Sequence, residues 1–234
     1  MAQYYGYDNY GSQGGGFLSR LFGNIPTVTR NLFLINVLMF LATLINERFM
    51  VETFAVFYPK SPFFRIWQPV TYLFMHGGFW HLFVNMWCLL MFGSALERAI
   101  GTKKYLIFYF VCGLGALLVH FLVQDLQVQS ILSDNSRTQE YITLLGIPTL
   151  GASGAIFGIQ VGYAMLYPND LWTLVFPPIT LKAKWFVLIF MAIELFTGIT
   201  GTLDGIAHFA HLGGALFGFI LIWSWKKTGK LWQR

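Results

Sequence analysis

Six predominantly apolar runs, at residues 29–45, 81–96, 104–123, 153–167, 184–199 and 207–225, constrain this chain more than any other feature. Runs of helical length in that number exceed what one soluble core can bury, so the solvent they require is a lipid bilayer. Charge is scarce in the same proportion. Only 11% of residues are charged and 56% are hydrophobic, whereas soluble domains carry about 25% charged residues. An aromatic content of 18% excludes a disordered chain. The expected fold class is therefore an all-α polytopic membrane protein with six transmembrane helices, in one domain over residues 24–226.

The ends read differently. Residues 1–23 are expected to form a disordered Tyr/Gly-rich tail, with FLSRLFG at 17–23 as a short interfacial anchor. The tail lacks the apolar centre of a signal peptide. Residues 227–234 are a short basic tail. Six spans place both termini on one side. With that side cytoplasmic, the inner segments hold eleven Lys and Arg: Arg20, Arg30, Arg98, Lys103, Lys104, Lys182, Lys184, Lys226, Lys227, Lys230 and Arg234. The outer loops hold four: Arg48, Lys60, Arg65 and Arg137. Basic residues accumulate on the cytoplasmic side, so both termini are expected there, in the cytoplasmic membrane. This placement also accounts for the net charge of +5 without nucleic acid as a partner. Cys88 and Cys112 lie inside apolar runs and are expected to be buried and unpaired. The outer loop 46–80 is aromatic enough to lie partly in the interface. The loop 124–152 leads into the fourth span.

Four of the runs are only 15–17 residues long, short of the roughly 20 needed for a full crossing. Polar residues inside such runs are costly and point to function. Helical rise gives their depth. Ser153 and His211 each lie about 21 Å above the cytoplasmic ends of their spans, Asn85 about 20 Å and His81 about 25 Å. Three helices thus bring a serine, a histidine and a His/Asn pair to nearly one level. Gly154, Gly158 and Gly162 on the fourth run, and Ala210, Gly214 and Gly218 on the sixth, recur every four residues. Small residues at that spacing let helix backbones approach closely. Ser153 and His211 lie beside these stripes, so close packing would bring them within reach.

A serine hydroxyl needs a base to accept its proton, and a neutral histidine suits that role near neutral pH. Ser153 also opens a helix, where free backbone N–H groups can stabilise an oxyanion. Gly151 and Gly154 would let a substrate backbone approach. His81 and Asn85 share one helix face and can both donate toward a developing negative charge. Phe157 can stack on the His211 ring. These are the parts of acyl transfer to water. His208 competes for the base role, one turn nearer the outer water. Glu194 is expected to be protonated or hydrogen-bonded inside the bundle; any part in substrate access would rest on what the fifth span resembles, not on the residue itself. His76 is expected to be structural or interfacial, and His120 interfacial. No metal-ligand cluster and no cofactor are expected.

The motifs carrying these residues resemble those of the rhomboid family of intramembrane serine proteases. Gly151-Ala152-Ser153-Gly154 matches the family's G-x-S-G, and Ala210-His211 through Gly214 and Gly218 matches its A-H-x-x-G-x-x-x-G. His81 to Asn85 matches H-x-x-x-N, and Gly93 to Gly101 matches G-x-x-x-E-x-x-x-G. Phe157 stands where relatives often carry Tyr. Trp67-Gln68 departs from a frequent Trp-Arg, which puts anchoring of the first loop in doubt. The resemblance implies a rhomboid-like bundle of six helices with a Ser153–His211 dyad. His81, Asn85 and the Ser153 N–H would form the oxyanion hole. The substrates implied are single-span transmembrane proteins cut near the outer face of the lipid bilayer. Known inactive relatives lose the Ser or the His, and both are present here. A transporter would call for paired intramembrane carboxylates or inverted repeats, and an aspartyl protease for two Asp at one depth. Substrate identity and oligomeric state stay open.

Overall fold

The computed structural model describes residues 23–173, 178–200 and 205–231. The N-terminal tail and most of its anchor stretch lie outside the described residues, as do residues 232–234 of the basic tail. Among the described residues, five helices are long and apolar enough to cross a membrane, and a sixth apolar helix is shorter. The six expected runs are all helical, and the protein is a multi-pass membrane protein.

Helix α1 (Thr27–Ile45) begins after Pro26, whose fixed φ suits a helix start. Its first N–H groups are capped from elsewhere in the chain. The buried Glu97 carboxylate accepts from the backbone N–H of Val28 (3.0 Å) and of Thr29 (2.8 Å), and from the Thr29 hydroxyl (2.8 Å). A carboxylate at a helix N-terminus satisfies orphan donors and favours the dipole. Glu97 is the central acid of the Gly93–Gly101 motif, so that motif ties the second span to the first.

The loop 46–80 is more ordered than its composition suggests. Asn46 ends α1 and caps α2 (Glu47–Phe54) by accepting from the N–H of Phe49. Helix α3 (Gln68–Thr71) follows, then a 3₁₀ turn over Tyr72–Phe74. Gln68 is fully buried. It donates to the carbonyls of Glu52 (3.2 Å) and Phe63 (3.1 Å) and accepts from the N–H of Arg65 (3.0 Å). The doubt raised by Gln in place of Arg is thus removed, because the amide makes the loop's anchoring bonds itself.

The second span is α4 (Phe79–Cys88) and α5 (Ser94–Ile100), joined by a π turn over Leu89–Gly93. Helix α6 (Thr102–Leu132) is 31 residues long, about 46 Å at helical rise and longer than the hydrocarbon core. It runs nine residues past the expected end at 123. Gln124 and Asp125 break the hydropathy, but not the helical periodicity. Val128 and Ile131 stay buried against Leu144 and Tyr58 in a small second core, with the Tyr58 hydroxyl donating to Asp125 (2.6 Å). His120, expected at the interface, is buried and bonded to the Thr149 hydroxyl at 2.8 Å. Helix α7 (Thr138–Leu145) completes the outer segment. Val56 and Thr149 then exchange both backbone hydrogen bonds.

Helix α8 (Ser153–Leu166) has 14 residues, of which nine are buried. A hairpin of β1 (Leu171–Thr173) and β2 (Thr180–Lys182) was not anticipated; three-residue strands are too short to show alternation. Helix α9 (Ala183–Thr200) and helix α10 (Gly205–Lys227) close the chain. Helices α6, α8 and α10 pack mutually and form the centre of the bundle.

Candidate active site

The close approach of α8 and α10 has a local cause. A Cβ on Gly214 would collide with the Gly154 carbonyl, and one on Gly218 would lie 2.7 Å from the Gly158 carbonyl. At Gly158 it would lie 2.8 Å from the Gly214 carbonyl and collide with Cys112. At Gly162 it would lie 2.9 Å from Phe108. The two stripes therefore interlock backbone to backbone, with α6 against their side. Cys112 is buried there, Cys88 is half-buried, and both are free.

This contact brings two functional groups together. His211 Nε2 lies 2.8 Å from Ser153 Oγ, within hydrogen-bond reach of a nucleophile and its base. The Phe157 ring stacks on His211, with centroids 4.4 Å apart and planes inclined by 10°. The missing hydroxyl of a Tyr therefore leaves the stacking intact. Ser153 is the first residue of α8, and Ile156 is the first to donate back to the turn, to Ala152. The N–H groups of Ser153, Gly154 and Ala155 precede any intrahelical partner.

Gly151 shapes the approach. Its φ of +133° is open to glycine and closed to L side chains. Its N–H donates to the Tyr72 carbonyl at 3.0 Å. A Cβ there would stand 3.0 Å from the His81 ring, so the glycine lets the imidazole reach the serine loop. The Gly77 N–H points at His81 Nδ1 (3.4 Å). That contact makes Nδ1 the acceptor and leaves Nε2–H as a donor. Asn85 is buried and gives one amide N–H to the His81 carbonyl at 2.7 Å, which leaves its second N–H to donate. His76 is buried with its ring 5.0 Å from His81. Burial, with His81 beside it, pushes its pKa down to about 3, so it is a neutral packing partner.

Ser153, His211, His81, Asn85 and Phe157 line one cavity of about 510 Å³. Gln160, Cys88 and Met91 also line it, as do Phe186 and Phe190 from α9. Gly154, Gly158, Gly162, Gly214 and Gly218 lie in the helix contact behind it, whereas Gly151, Glu194 and His208 are not among the residues that line it.

At Glu194 one expectation is met and another changes. Its Oε2 lies 2.8 Å from His211 Nδ1 and 2.7 Å from His208 Nδ1. Glu194 is therefore hydrogen-bonded inside the bundle, and its partner is the histidine that faces Ser153. No motif signals this, because α9 meets α10 only in the folded bundle. The histidines also do form a cluster with metal-ligand potential, since donor atoms of Glu194, His208 and His211 lie within 4.8 Å of one another. Spacing along one helix did not reveal it because the third member comes from another span. Within that cluster, Glu194 Oε2 already accepts a hydrogen bond from each Nδ1.

The bundle and its cavity define a class: a multi-pass membrane protein holding a serine and a histidine in contact within its helices. The chain belongs to the rhomboid family, whose Rhomboid domain matches residues 64–227. It is 28% identical over 198 residues to Rhomboid-like protein 11, chloroplastic, of Arabidopsis thaliana, covering 82% of this chain and 63% of that one. It is 28% identical to Rhomboid-like protease 3 of Toxoplasma gondii, covering 78% and 60%. It is likewise 28% identical to Rhomboid protease AarA of Providencia stuartii, covering 66% and 54%. The chain thus spans less than two thirds of the length of each of these relatives.

Proposed function

We propose that this protein is an intramembrane serine endopeptidase that hydrolyses peptide bonds of single-span transmembrane proteins near the outer membrane face. The observation that carries the reading is the 2.8 Å contact between Ser153 Oγ and His211 Nε2 inside an apolar cavity. Ser153 Oγ attacks the scissile carbonyl while its proton passes to His211 Nε2. The negative charge on the tetrahedral oxygen is met by His81 Nε2–H, the free Asn85 amide N–H and the Ser153 backbone N–H. His211 then gives its proton to the leaving amine. Water, activated by the same histidine, hydrolyses the acyl-enzyme and restores Ser153. A residue at Phe157 that stacks on the imidazole limits its rotation during both transfers.

Membrane placement follows the charge count. Both termini lie on the cytoplasmic side of the cytoplasmic membrane, which turns the N-terminal end of α8, and Ser153 with it, toward the outer face. The apolar cavity wall from α4 and α9 suits a substrate helix arriving from lipid. No cofactor enters the mechanism.

The test is cleavage of a tagged transmembrane reporter in proteoliposomes. Ser153→Ala and His211→Ala are each expected to lower kcat by about 10⁴-fold or more, and Asn85→Ala by about 10²- to 10³-fold. Cleavage that survives Ser153→Ala would refute the mechanism. Failure of Ser153 to react with a fluorophosphonate would instead favour a family member that binds clients without cutting them.

A further inference from the structure

We infer that Glu194 is the positioning residue for His211, completing a Ser153–His211–Glu194 hydrogen-bonded chain across α8, α10 and α9. The inference rests on the serine-protease reading above and adds a third member to it. The geometry is continuous: Ser153 Oγ to His211 Nε2 is 2.8 Å, and His211 Nδ1 to Glu194 Oε2 is 2.8 Å. A carboxylate only accepts, so Nδ1 carries the proton and Nε2 presents its lone pair to the serine. The opposite tautomer would put N–H against Ser153 and could not take its proton.

The charge argument is as direct. When Ser153 Oγ bonds to the scissile carbon, its proton moves to Nε2 and the imidazole becomes a cation. A cation formed among apolar helices is costly, and so is an isolated carboxylate. Glu194 beside His211 offsets both costs: it stays ionised, keeps its bond to Nδ1–H, and never takes the proton itself. The proton returns from Nε2 to the leaving amine. The Glu194 side chain is only 14% exposed, so the interaction is weakly screened. His208 Nδ1 donates to the same oxygen from one turn away on α10. It holds the carboxylate in line, while the hydrogen bond to Ser153 comes from His211. A further titratable ring, His81, faces the cavity from α4.

The experiment uses the full chain in proteoliposomes with the transmembrane reporter. It compares wild type, Ser153→Ala, Glu194→Gln, Glu194→Asp and His208→Ala, reading kcat, KM, fluorophosphonate labelling of Ser153 and the thermal unfolding midpoint. Glu194→Gln is expected to lower kcat and the labelling rate by roughly 10²- to 10⁴-fold, with KM within about twofold and an unfolding midpoint near wild type. Glu194→Asp should recover part of the lost kcat, because charge returns at one methylene's distance. His208→Ala should cost less kcat than Glu194→Gln. Glu194→Gln with near-wild-type kcat, while Ser153→Ala is dead, would overturn the inference and leave the protease reading standing. So would a parallel loss of kcat, KM and folding with no rescue by Glu194→Asp, which would mark a structural residue. If Glu194→Gln does not fold, Glu194→Asp decides: a lower kcat at unchanged KM supports the inference, and wild-type kinetics overturns it. A larger loss in His208→Ala than in Glu194→Gln would also overturn it. Cleavage by Ser153→Ala would instead bring down the reading beneath.

Discussion

Helices α8 and α9 both border the candidate-site cavity, yet they are held in different ways. Nine of the fourteen residues of α8 are buried, and its glycines meet the backbone of α10 directly. Of the eighteen residues of α9, only Ala183 and Val187 are buried, both at the end near the hairpin. Only 11% of its apolar window is buried inside the protein, against 44% for α6. Trp185, Leu188, Ile189, Ile193, Phe196 and Ile199 face outward. Without a hydrophobic drive between helices in lipid, close packing must come from shape and small residues. Helix α8 has that shape and α9 does not. The serine and histidine therefore ride on the rigid pair, while the carboxylate beside them comes from a helix whose main neighbour is the bilayer.

Substitutions can break or sharpen this contrast. The largest effect is expected at Gly214→Ala, where the added methyl meets backbone that cannot rotate away. Forcing α8 and α10 apart should cost about 1–3 kcal/mol of stability and about 10²-fold in kcat through misplacement of His211. Unchanged fluorophosphonate labelling in that variant would show that the interlock does not set the site. A glycine on α9 gives the matched comparison. A Cβ on Gly198 would meet only side-chain atoms, Phe209 at 3.2 Å and His208 at 3.4 Å. Because side chains can give way, Gly198→Ala should lower kcat far less than Gly214→Ala. Equal losses would erase the distinction between the two helices. The smallest effect is expected at Ile199→Ala, on the outward face, where stability should stay within about 0.5 kcal/mol. A larger destabilisation, measured by unfolding in detergent, would mean that this face packs against protein rather than lipid.

Much of the architecture was legible because in a membrane one rule dominates: backbone polar groups must be satisfied within each span. That rule turns hydropathy directly into helices, and it placed all six. It worked least well at α6, where Gln124 and Asp125 hid a continuing apolar face, and in the loop at 46–80, where Gln68 organises structure through bonds to distant carbonyls. Glu97 shows the same limit. Its motif was visible in the sequence, but its task of capping α1 depends on a partner 68 residues away. At the candidate site, depth arithmetic brought Ser153, His211, His81 and Asn85 to one level because helical rise is fixed. It could not rotate the helices.

The sequence by itself determined the six apolar helices, the candidate groups set at similar heights along them and the helix pair that could touch, since each follows from local periodicity and residue size. The tertiary structure alone decided which groups meet across helices. It brought His211, which the motif already favoured over His208, to hydrogen-bond distance of Ser153, and it turned Glu194 to both histidines. Contacts of that kind depend on the rotation and tilt of whole helices, which are fixed by packing against neighbours and leave no mark in any single segment.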